Sequence, residues 1–158
     1  MNFLTEHGIG SYGELESKLT AVSARRDAAH AELKRVESRS TELALVMKHA
    51  ATYRQLKPLY DRYRKSGDKE KFLRGHESEI ILFEAAAREL KRLGAVPLPA
   101  TESTKTELAN LAAEKERLFA EYKAARSEVQ EYETVKQNVD ALIAVPKEQE
   151  QQRRHELE

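Results

Sequence analysis

The chain has 158 residues, of which 34% are charged and 6% aromatic, and it contains neither cysteine nor tryptophan. This composition excludes disulfides, thiolate metal sites and thiol nucleophiles, and it argues against a large globular core, which would carry more aromatic residues. No apolar run reaches the ~18 residues of a membrane-spanning helix, and residues 1–11 lack the layout of a signal peptide. We therefore expect a cytoplasmic protein of long helices that does not insert into a membrane.

The 27 basic and 27 acidic residues cancel, but they are unevenly distributed along the chain. Residues 53–100 carry eleven basic and seven acidic side chains, whereas residues 101–158 carry nine basic and thirteen acidic ones. The middle third is therefore the basic part of the chain, where a contact with a polyanion is most readily accommodated.

The first ten residues precede a clear helix start. Residues 1–10 contain two glycines and are expected to be the leader of a fragment excised from a longer protein. Ser11 can accept a hydrogen bond from an unpaired amide of the first helical turn, and Glu14, three residues later, completes a capping box. A helix is therefore predicted to begin near Ser11 or Tyr12.

A heptad stripe follows and predicts the first long helix, over residues 11–57. Its positions alternate by three and four residues, and nine of the eleven are apolar: Leu15, Leu19, Val22, Arg26, Ala29, Leu33, Val36, Ser40, Leu43, Met47 and Ala50. A helix with so narrow a stripe cannot bury it alone and needs a partner helix. The polar members are expected to reach water from the edge of the stripe rather than to fix its register. Pro58 should kink or restart this helix near Leu56.

Residues 58–103 are predicted to form a small helical tip. A short helix, a turn at residues 66–68 and a second helix over residues 69–93 make up most of it. The second helix has a wide apolar face, which is typical of packing in a globular domain rather than of a coiled coil. Gly75 is a candidate interruption of this helix, and Gly94 is expected to end it in a left-handed conformation.

A second heptad stripe supplies a partner for the first, in a helix predicted over residues 104–145. Two prolines exclude helix from residues 95–100. Thr101, Ser103 or Thr104 is expected to cap the next helix, with Glu107 placed to close a capping box on Thr104. The stripe again has nine apolar members of eleven: Leu108, Leu111, Lys115, Leu118, Tyr122, Ala125, Val129, Tyr132, Lys136, Val139 and Ile143. Two matched stripes around an insert predict an all-α fold, a long antiparallel coiled-coil hairpin with a small helical tip. This hairpin would be monomeric or form a homodimer, and the alternative is a purely structural dimerisation module whose stripes are buried on another chain.

Residues 146–158 are predicted to form a disordered tail. Pro146 lacks a backbone donor and should stop the second long helix, and the residues after it are polar and of low complexity. The final Leu157 and Glu158 fit either a native end or a cloning remnant.

Tyrosines and basic residues are interleaved around Pro58. Aromatic platforms together with cations are what single-stranded DNA binding uses, through base stacking and phosphate neutralisation. The candidate contact residues for DNA or a protein partner are Tyr53, Arg54, Lys57, Tyr60, Arg62, Tyr63, Arg64 and Lys65, with Lys69, Lys71 and Arg74 close behind. The alternative is that the tyrosines pack against Phe72 and Phe83 while the cations are solvated.

No residue pattern predicts a catalytic, cofactor or metal site. His76 and the carboxylates after it include ordinary metal ligands, but residue 80 is isoleucine, so the zinc-binding His-Glu-x-x-His spacing is absent. Glu77 and Glu79 are explained by the first turn of a helix, where the helix dipole favours acidic residues. We therefore expect no metal, no cofactor and no enzymatic activity in this chain.

Two runs in the tip resemble the carboxy-terminal region of relaxases, the mobilisation nucleases of conjugative elements and plasmids in Gram-positive bacteria. They are Tyr53-Arg54-Gln55-Leu56-Lys57-Pro58-Leu59-Tyr60 and Lys71-Phe72-Leu73-Arg74-Gly75-His76-Glu77-Ser78-Glu79-Ile80-Ile81-Leu82. Residues 2–12, residues 93–99 and residues 138–143 are similar to the same region. The resemblance therefore covers nearly the whole chain.

The resemblance implies a non-catalytic accessory region of a bacterial conjugative relaxase, located in the cytoplasm. In that family the amino-terminal domain nicks one DNA strand through a tyrosine and a histidine-bound metal. The chain has no His-x-His pair, so no residue here matches the metal cluster of that domain. The implied partners are single-stranded DNA, a conjugation accessory protein or the coupling protein of the transfer channel.

Overall fold

The computed structural model describes the backbone of residues 2–156 and the side chains of residues 2–144. Across residues 2–156 the chain forms four α-helices and no β-strand, so the predicted all-α class is confirmed: α1 (Phe3–Glu6), α2 (Tyr12–Lys65), α3 (Lys69–Arg92) and α4 (Thr101–Glu156). The chain divides into two compact units, the first of Met1–Leu33 with Glu116–Glu158 and the second of Lys34–Lys115. None of the helices in the described part is long and apolar enough to cross a membrane.

The predicted capping box starts α2. The Ser11 hydroxyl accepts a hydrogen bond from the Glu14 amide at 3.2 Å, and the Glu14 carboxylate accepts one from the Gly10 amide at 2.6 Å. Both amides would otherwise lack a helical partner, so the two side chains satisfy donors at the start of the helix. The helix begins at Tyr12, as the sequence predicts.

In the first unit, α2 and α4 run antiparallel. Tyr12 donates a hydrogen bond to the Asp140 carboxylate, and further along α2 the Arg25 guanidinium pairs with Glu128, which lies earlier in α4. The core of this unit is formed by buried residues from both helices: Leu15, Val22, Val129 and Tyr132. The residues predicted as a leader also pack here, since the Phe3 ring of α1 meets the Tyr132 ring edge-on at 5.1 Å.

In the second unit, α3 joins the antiparallel pair. Arg39 of α2 pairs with Glu107 of α4 at 3.0 Å, and Glu37 pairs with Lys115, also of α4, at 3.6 Å. A second core cluster combines Val46 and Ala50 of α2 with Leu90 of α3, surrounded by Tyr53, Leu93, Ala95 and Leu98. This unit therefore combines three helices, α2, α3 and α4, whereas the first unit combines the two long helices with the short α1.

Most predicted stripe positions are buried. They are Leu15, Val22, Ala29, Leu33, Val36, Leu43 and Ala50 in α2, and Leu111, Leu118, Ala125, Val129 and Tyr132 in α4. Among the polar members, Arg26 pairs with the exposed Asp27 and Lys115 pairs with Glu37. Both side chains therefore lie at the edge of the stripe, as predicted. Ile143 is 51% exposed instead, because α2 begins at Tyr12, opposite Asp140, and offers no surface beyond it.

Helix boundaries predicted from prolines are wrong at two places. Helix α2 continues through Pro58 to Lys65, and α4 continues through Pro146 to Glu156, so no helix ends at residue 57 or 145. A proline removes one amide donor and crowds the preceding turn, at a cost of about 3 kcal/mol, and the other backbone hydrogen bonds of the helix can outweigh that cost. The question of whether Leu157 and Glu158 are native lies outside the described residues.

The predicted capping box at Thr104 is also wrong. Helix α4 begins at Thr101, and Thr104 is buried inside the helix, where its hydroxyl donates to the Ala100 carbonyl at 3.2 Å. Glu107 accepts from the Arg39 guanidinium of α2 instead of closing a cap. Thr104 is therefore a packing residue, whose hydroxyl is satisfied by the preceding turn.

Helix α3 begins and ends as predicted. The Asp68 carboxylate caps it by accepting from the Lys71 amide at 3.1 Å, and Gly94 follows its end with φ +71°. The interruption expected at Gly75 lies one residue later, at His76, where φ is −137° and ψ is 25°. The apolar face is narrower than predicted, because Ile81 and Leu82 are 53% and 56% exposed while Ile80, Phe83, Ala86 and Leu90 face the core.

Candidate nucleic-acid interface

The tyrosines proposed as DNA contacts stack on aromatic rings of α3. The rings of Tyr53 and Tyr60 lie 4.7 Å and 4.3 Å from that of Phe83, which is buried, and both pairs are stacked. Tyr63 lies 6.1 Å from Phe72. Because the stacked faces already have partners, these rings serve the packing of α3 onto α2. A base could stack on Tyr53 or Tyr60 only by replacing Phe83 or by using the opposite ring face.

Two of the proposed cations contact residues of their own unit. The Arg54 guanidinium donates to the Pro99 carbonyl at 2.6 Å and to the Thr101 hydroxyl at 2.8 Å, so it ties α2 to the connector before α4. Lys57 pairs with Asp61, one turn along the helix, at 3.2 Å. Such an exposed pair adds little stability, and Lys57 can exchange Asp61 for another anion, whereas Arg54 has a structural role.

The remaining cations lie around the turn between α2 and α3. Arg62 lies over the Phe72 ring, 5.7 Å from its centre. Four exposed side chains flank the turn, two at the end of α2 and two at the start of α3, and we name them the turn cluster: Arg64, Lys65, Lys69 and Lys71. Within residues 2–144, none of these four forms an ion pair.

Half of the turn cluster opposes the electrostatics of its own helix. Arg64 and Lys65 lie in the last turn of α2, where the helix dipole favours cations. Lys69 and Lys71 lie in the first turn of α3, where the dipole disfavours them by about 0.3–1 kcal/mol each. Asp68 and Glu70 offset part of this charge, but residues 62–74 still contain six basic and two acidic side chains. The turn therefore retains positive charge that helix stability does not require.

The structure thus divides the eight predicted contact residues. It draws Tyr53, Arg54 and Tyr60 into packing, and it brings Arg64 and Lys65 together with Lys69 and Lys71 across the turn. The sequence showed that tyrosines and basic residues are clustered but not which of them have internal partners, because those partners are Phe83, Pro99 and Thr101, far along the chain.

The one histidine weighed as a metal ligand lies at the kink of α3. The His76 imidazole is 3.6 Å from the Glu79 carboxylate and its ring packs 4.7 Å from that of Phe72. Among the described residues, no three histidine, aspartate or glutamate side chains converge as metal ligands. His76 and Glu79 are accounted for as a local pair across the kink.

The strongest perturbation of an ionisable group lies in the other unit. The hydrogen bond to Asp140 raises the pKa of Tyr12 to about 12, because the ionised phenol would face that carboxylate. Burial raises the pKa of Tyr132 in the same unit. Tyr12 links α2 to α4, and Tyr132 of α4 packs against α1, both within the first unit. These pKa shifts therefore reflect packing rather than a reaction centre.

In comparisons with known proteins, no family model, no curated sequence and no solved structure matches the chain.

Proposed function

We propose that the chain is a non-catalytic helical module in which α2 and α4 form an antiparallel coiled-coil hairpin and the turn cluster binds the phosphates of single-stranded DNA. The observation that carries the proposal is the turn cluster itself. Four exposed cations without ion pairs in the described part lie on both sides of one turn, and two of them oppose the dipole of α3. A phosphate backbone would neutralise this charge and release counterions.

The mode of binding follows from the aromatic packing. Tyr53 and Tyr60 stack on Phe83, so base stacking supplies little of the affinity. Affinity would depend on phosphate contacts, which are insensitive to sequence and strongly dependent on salt. The module would therefore hold a strand without reading it.

The resemblance of residues 53–60 and 71–82 to relaxases supplies the context for this binding. In that context the module is the accessory region of a bacterial conjugative relaxase, it acts in the cytoplasm, and it retains the transferred strand near the nicking domain. A conjugation accessory or coupling protein is the other class of partner that this context offers.

The test is fluorescence anisotropy of a labelled single-stranded oligonucleotide of mixed sequence, titrated with the protein over a series of salt concentrations. Alanine at all four positions of the turn cluster should abolish most binding and reduce the slope of log K against log salt by up to about 3, since each phosphate contact contributes about 0.7. The matched control replaces four exposed cations that also lack ion pairs among the described residues but are dispersed: Lys34, Lys48, Arg88 and Arg126.

The two quadruple variants change the net charge equally, so they separate a site from a general charge effect. Equal losses in both would mean that only overall charge matters and would remove the turn cluster as a site. Binding that does not depend on salt would exclude a phosphate-based mode.

The alternative is a purely structural dimerisation module whose stripes are buried on another chain. Light scattering coupled to size exclusion distinguishes it from the monomeric hairpin, which has a mass near 18.0 kDa. Twice that mass that persists in the Ile81→Ser, Leu82→Ser variant supports the dimer built through the stripes, whereas a fall to the monomer value means that hairpins associate through the exposed Ile81 and Leu82 of α3.

A further inference from the structure

An apolar groove lies beside the last turns of α3, apart from the turn cluster. Its volume is about 580 Å³, and we name it the connector groove because residues 96–98 line it. Ala87 and Leu90 of α3 and Tyr53 of α2 also line it. The volume falls within the range of about 300–1,000 Å³ that is usual for binding sites in proteins.

The walls of the connector groove are held by contacts made elsewhere. Leu90 is 1% exposed and packs with Val46 and Ala50, and Leu98 packs on the same cluster. The Ala95 amide donates to the Leu90 carbonyl at 2.9 Å, which fixes the chain as it leaves α3. At its other end the connector is tied by Arg54 through the Pro99 carbonyl. The groove is therefore formed before any ligand binds, and a ligand need not order it.

The lining has one charged member, Lys91. Its side chain is exposed and forms no ion pair within residues 2–144, and no acidic residue lines the groove. The neighbouring Arg92 differs, because its guanidinium pairs with Glu89 at 2.7 Å. Val96, which also lines the groove, is 67% exposed. An apolar surface with a single unpaired cation at its side is complementary to an apolar ligand that carries one negative charge.

The geometry points to a binding site for a short peptide segment of a partner protein, with apolar side chains in the connector groove and a carboxylate on Lys91. The groove is partly open to solvent, so apolar side chains of a peptide can enter it while the peptide backbone stays outside. This site shares no residue with the turn cluster, so it stands apart from the proposed DNA binding.

The probe is the capped peptide Ac-Gly-Leu-Ile-Glu-Leu-Gly-NH2, titrated into the isotopically labelled full chain and followed by amide chemical shifts. We expect saturable shifts at Ala87, Leu90, Lys91 and Val96. The control peptide carries lysine in place of glutamate. Its dissociation constant should be at least about threefold higher, because one exposed ion pair is replaced by a repulsion between like charges.

A charge exchange tests the role of Lys91. In Lys91→Glu, which alters an exposed side chain, the preference should reverse, so that the lysine peptide binds more tightly than the glutamate peptide. The matched control is the double variant Ile81→Ser, Leu82→Ser, which removes exposed apolar side chains of the same helix outside the groove and should leave peptide binding unchanged.

Three results would overturn the inference. They are shifts that do not saturate with either peptide, an unchanged preference in Lys91→Glu, and a loss of peptide binding in the double control. DNA affinity measured in Lys91→Glu should fall no more than in Lys34→Glu, a dispersed cation given the same two-unit change of charge, so failure of the peptide site and failure of the DNA site give different results.

Discussion

The two units of the chain use the same pair of helices and differ in what they add to it. In the first unit, polar side chains of α2 and α4 have partners across the pair, such as Tyr12 with Asp140 and Arg25 with Glu128. In the second unit, α3 packs on the pair through aromatic rings and leaves the turn cluster and Lys91 without ion pairs among the described residues. The units therefore differ in what packs on the helix pair, which is the short α1 in the first unit and α3 in the second.

The largest expected effect concerns the core leucines. Leu15→Ala in the first unit and Leu90→Ala in the second should each lower the free energy of unfolding by about 2–5 kcal/mol, because both side chains are 1% exposed and their loss leaves a cavity. Urea unfolding followed by circular dichroism measures the change. The exposed Leu142 and Leu82 are the controls, and alanine there should cost no more than about 0.5 kcal/mol. A small loss at Leu90 would mean that α3 is not part of the folded core.

The second effect tests whether aromatic stacking attaches α3. Phe83→Leu keeps an apolar side chain but loses the stacked contacts with Tyr53 and Tyr60, so unfolding should become easier by about 1–3 kcal/mol. Phe119→Leu in the first unit is the matched change at a ring that is 50% exposed, and it should have little effect. Equal effects of the two substitutions would contradict the structural role of the stack.

A third effect has opposite signs on the two sides of the turn. Lys69→Gln with Lys71→Gln should stabilise the protein by about 0.5–2 kcal/mol, since it removes cations from the first turn of α3. Arg64→Gln with Lys65→Gln should destabilise it slightly, since those cations lie at the end of α2. Thermal unfolding at low salt measures both pairs. A change of stability in the same direction for both pairs would contradict the dipole explanation. The argument that Lys69 and Lys71 serve binding rather than helix stability would then have no support.

The smallest effect is the pH response of the first unit. The pKa of Tyr12 is raised from 10.0 to about 12, so its hydrogen bond to Asp140 is fully present below pH 10 and is lost as the pH rises to about 12. Absorbance of the ionised phenol, taken as the difference between the protein and Tyr12→Phe, should show this late ionisation. Asp140→Ala should move it back toward 10 while α2 and α4 stay helical. An unchanged titration in Asp140→Ala would show that the contact does not form in solution.

Local signals predicted the helix starts and ends that depend on neighbouring residues. Ser11 and Glu14 start α2, and Gly94 follows the end of α3, because capping and a left-handed glycine are decided within a few residues. The heptad stripes likewise predicted which faces are buried, since a narrow apolar stripe has one energetically acceptable environment. The helix ends predicted at Pro58 and Pro146 were wrong, because the other backbone hydrogen bonds of each helix outweigh the local cost of the proline.

The candidate sites were less accessible to prediction. A list of basic and aromatic residues could not separate Arg54 from Arg64, because the difference is a hydrogen bond from Arg54 to Pro99, 45 positions away. The sequence also could not show that Ile81 and Leu82 are exposed, because only part of the wide apolar face of α3 packs against the core. Nothing in the sequence pointed to the connector groove except the apolar residues and prolines at positions 95–99.

The sequence by itself therefore determined the helical class, the capped start of α2 and the stripe that runs from Leu15 to Ala50. These depend on the period of the helix and on hydrogen bonds between near neighbours, which are properties of short segments. Only the tertiary structure decided which tyrosines are engaged in stacking, which cations remain unpaired, and that a groove lies beside Lys91. Each of these depends on residues that are distant in the chain and meet only when α3 packs against α2.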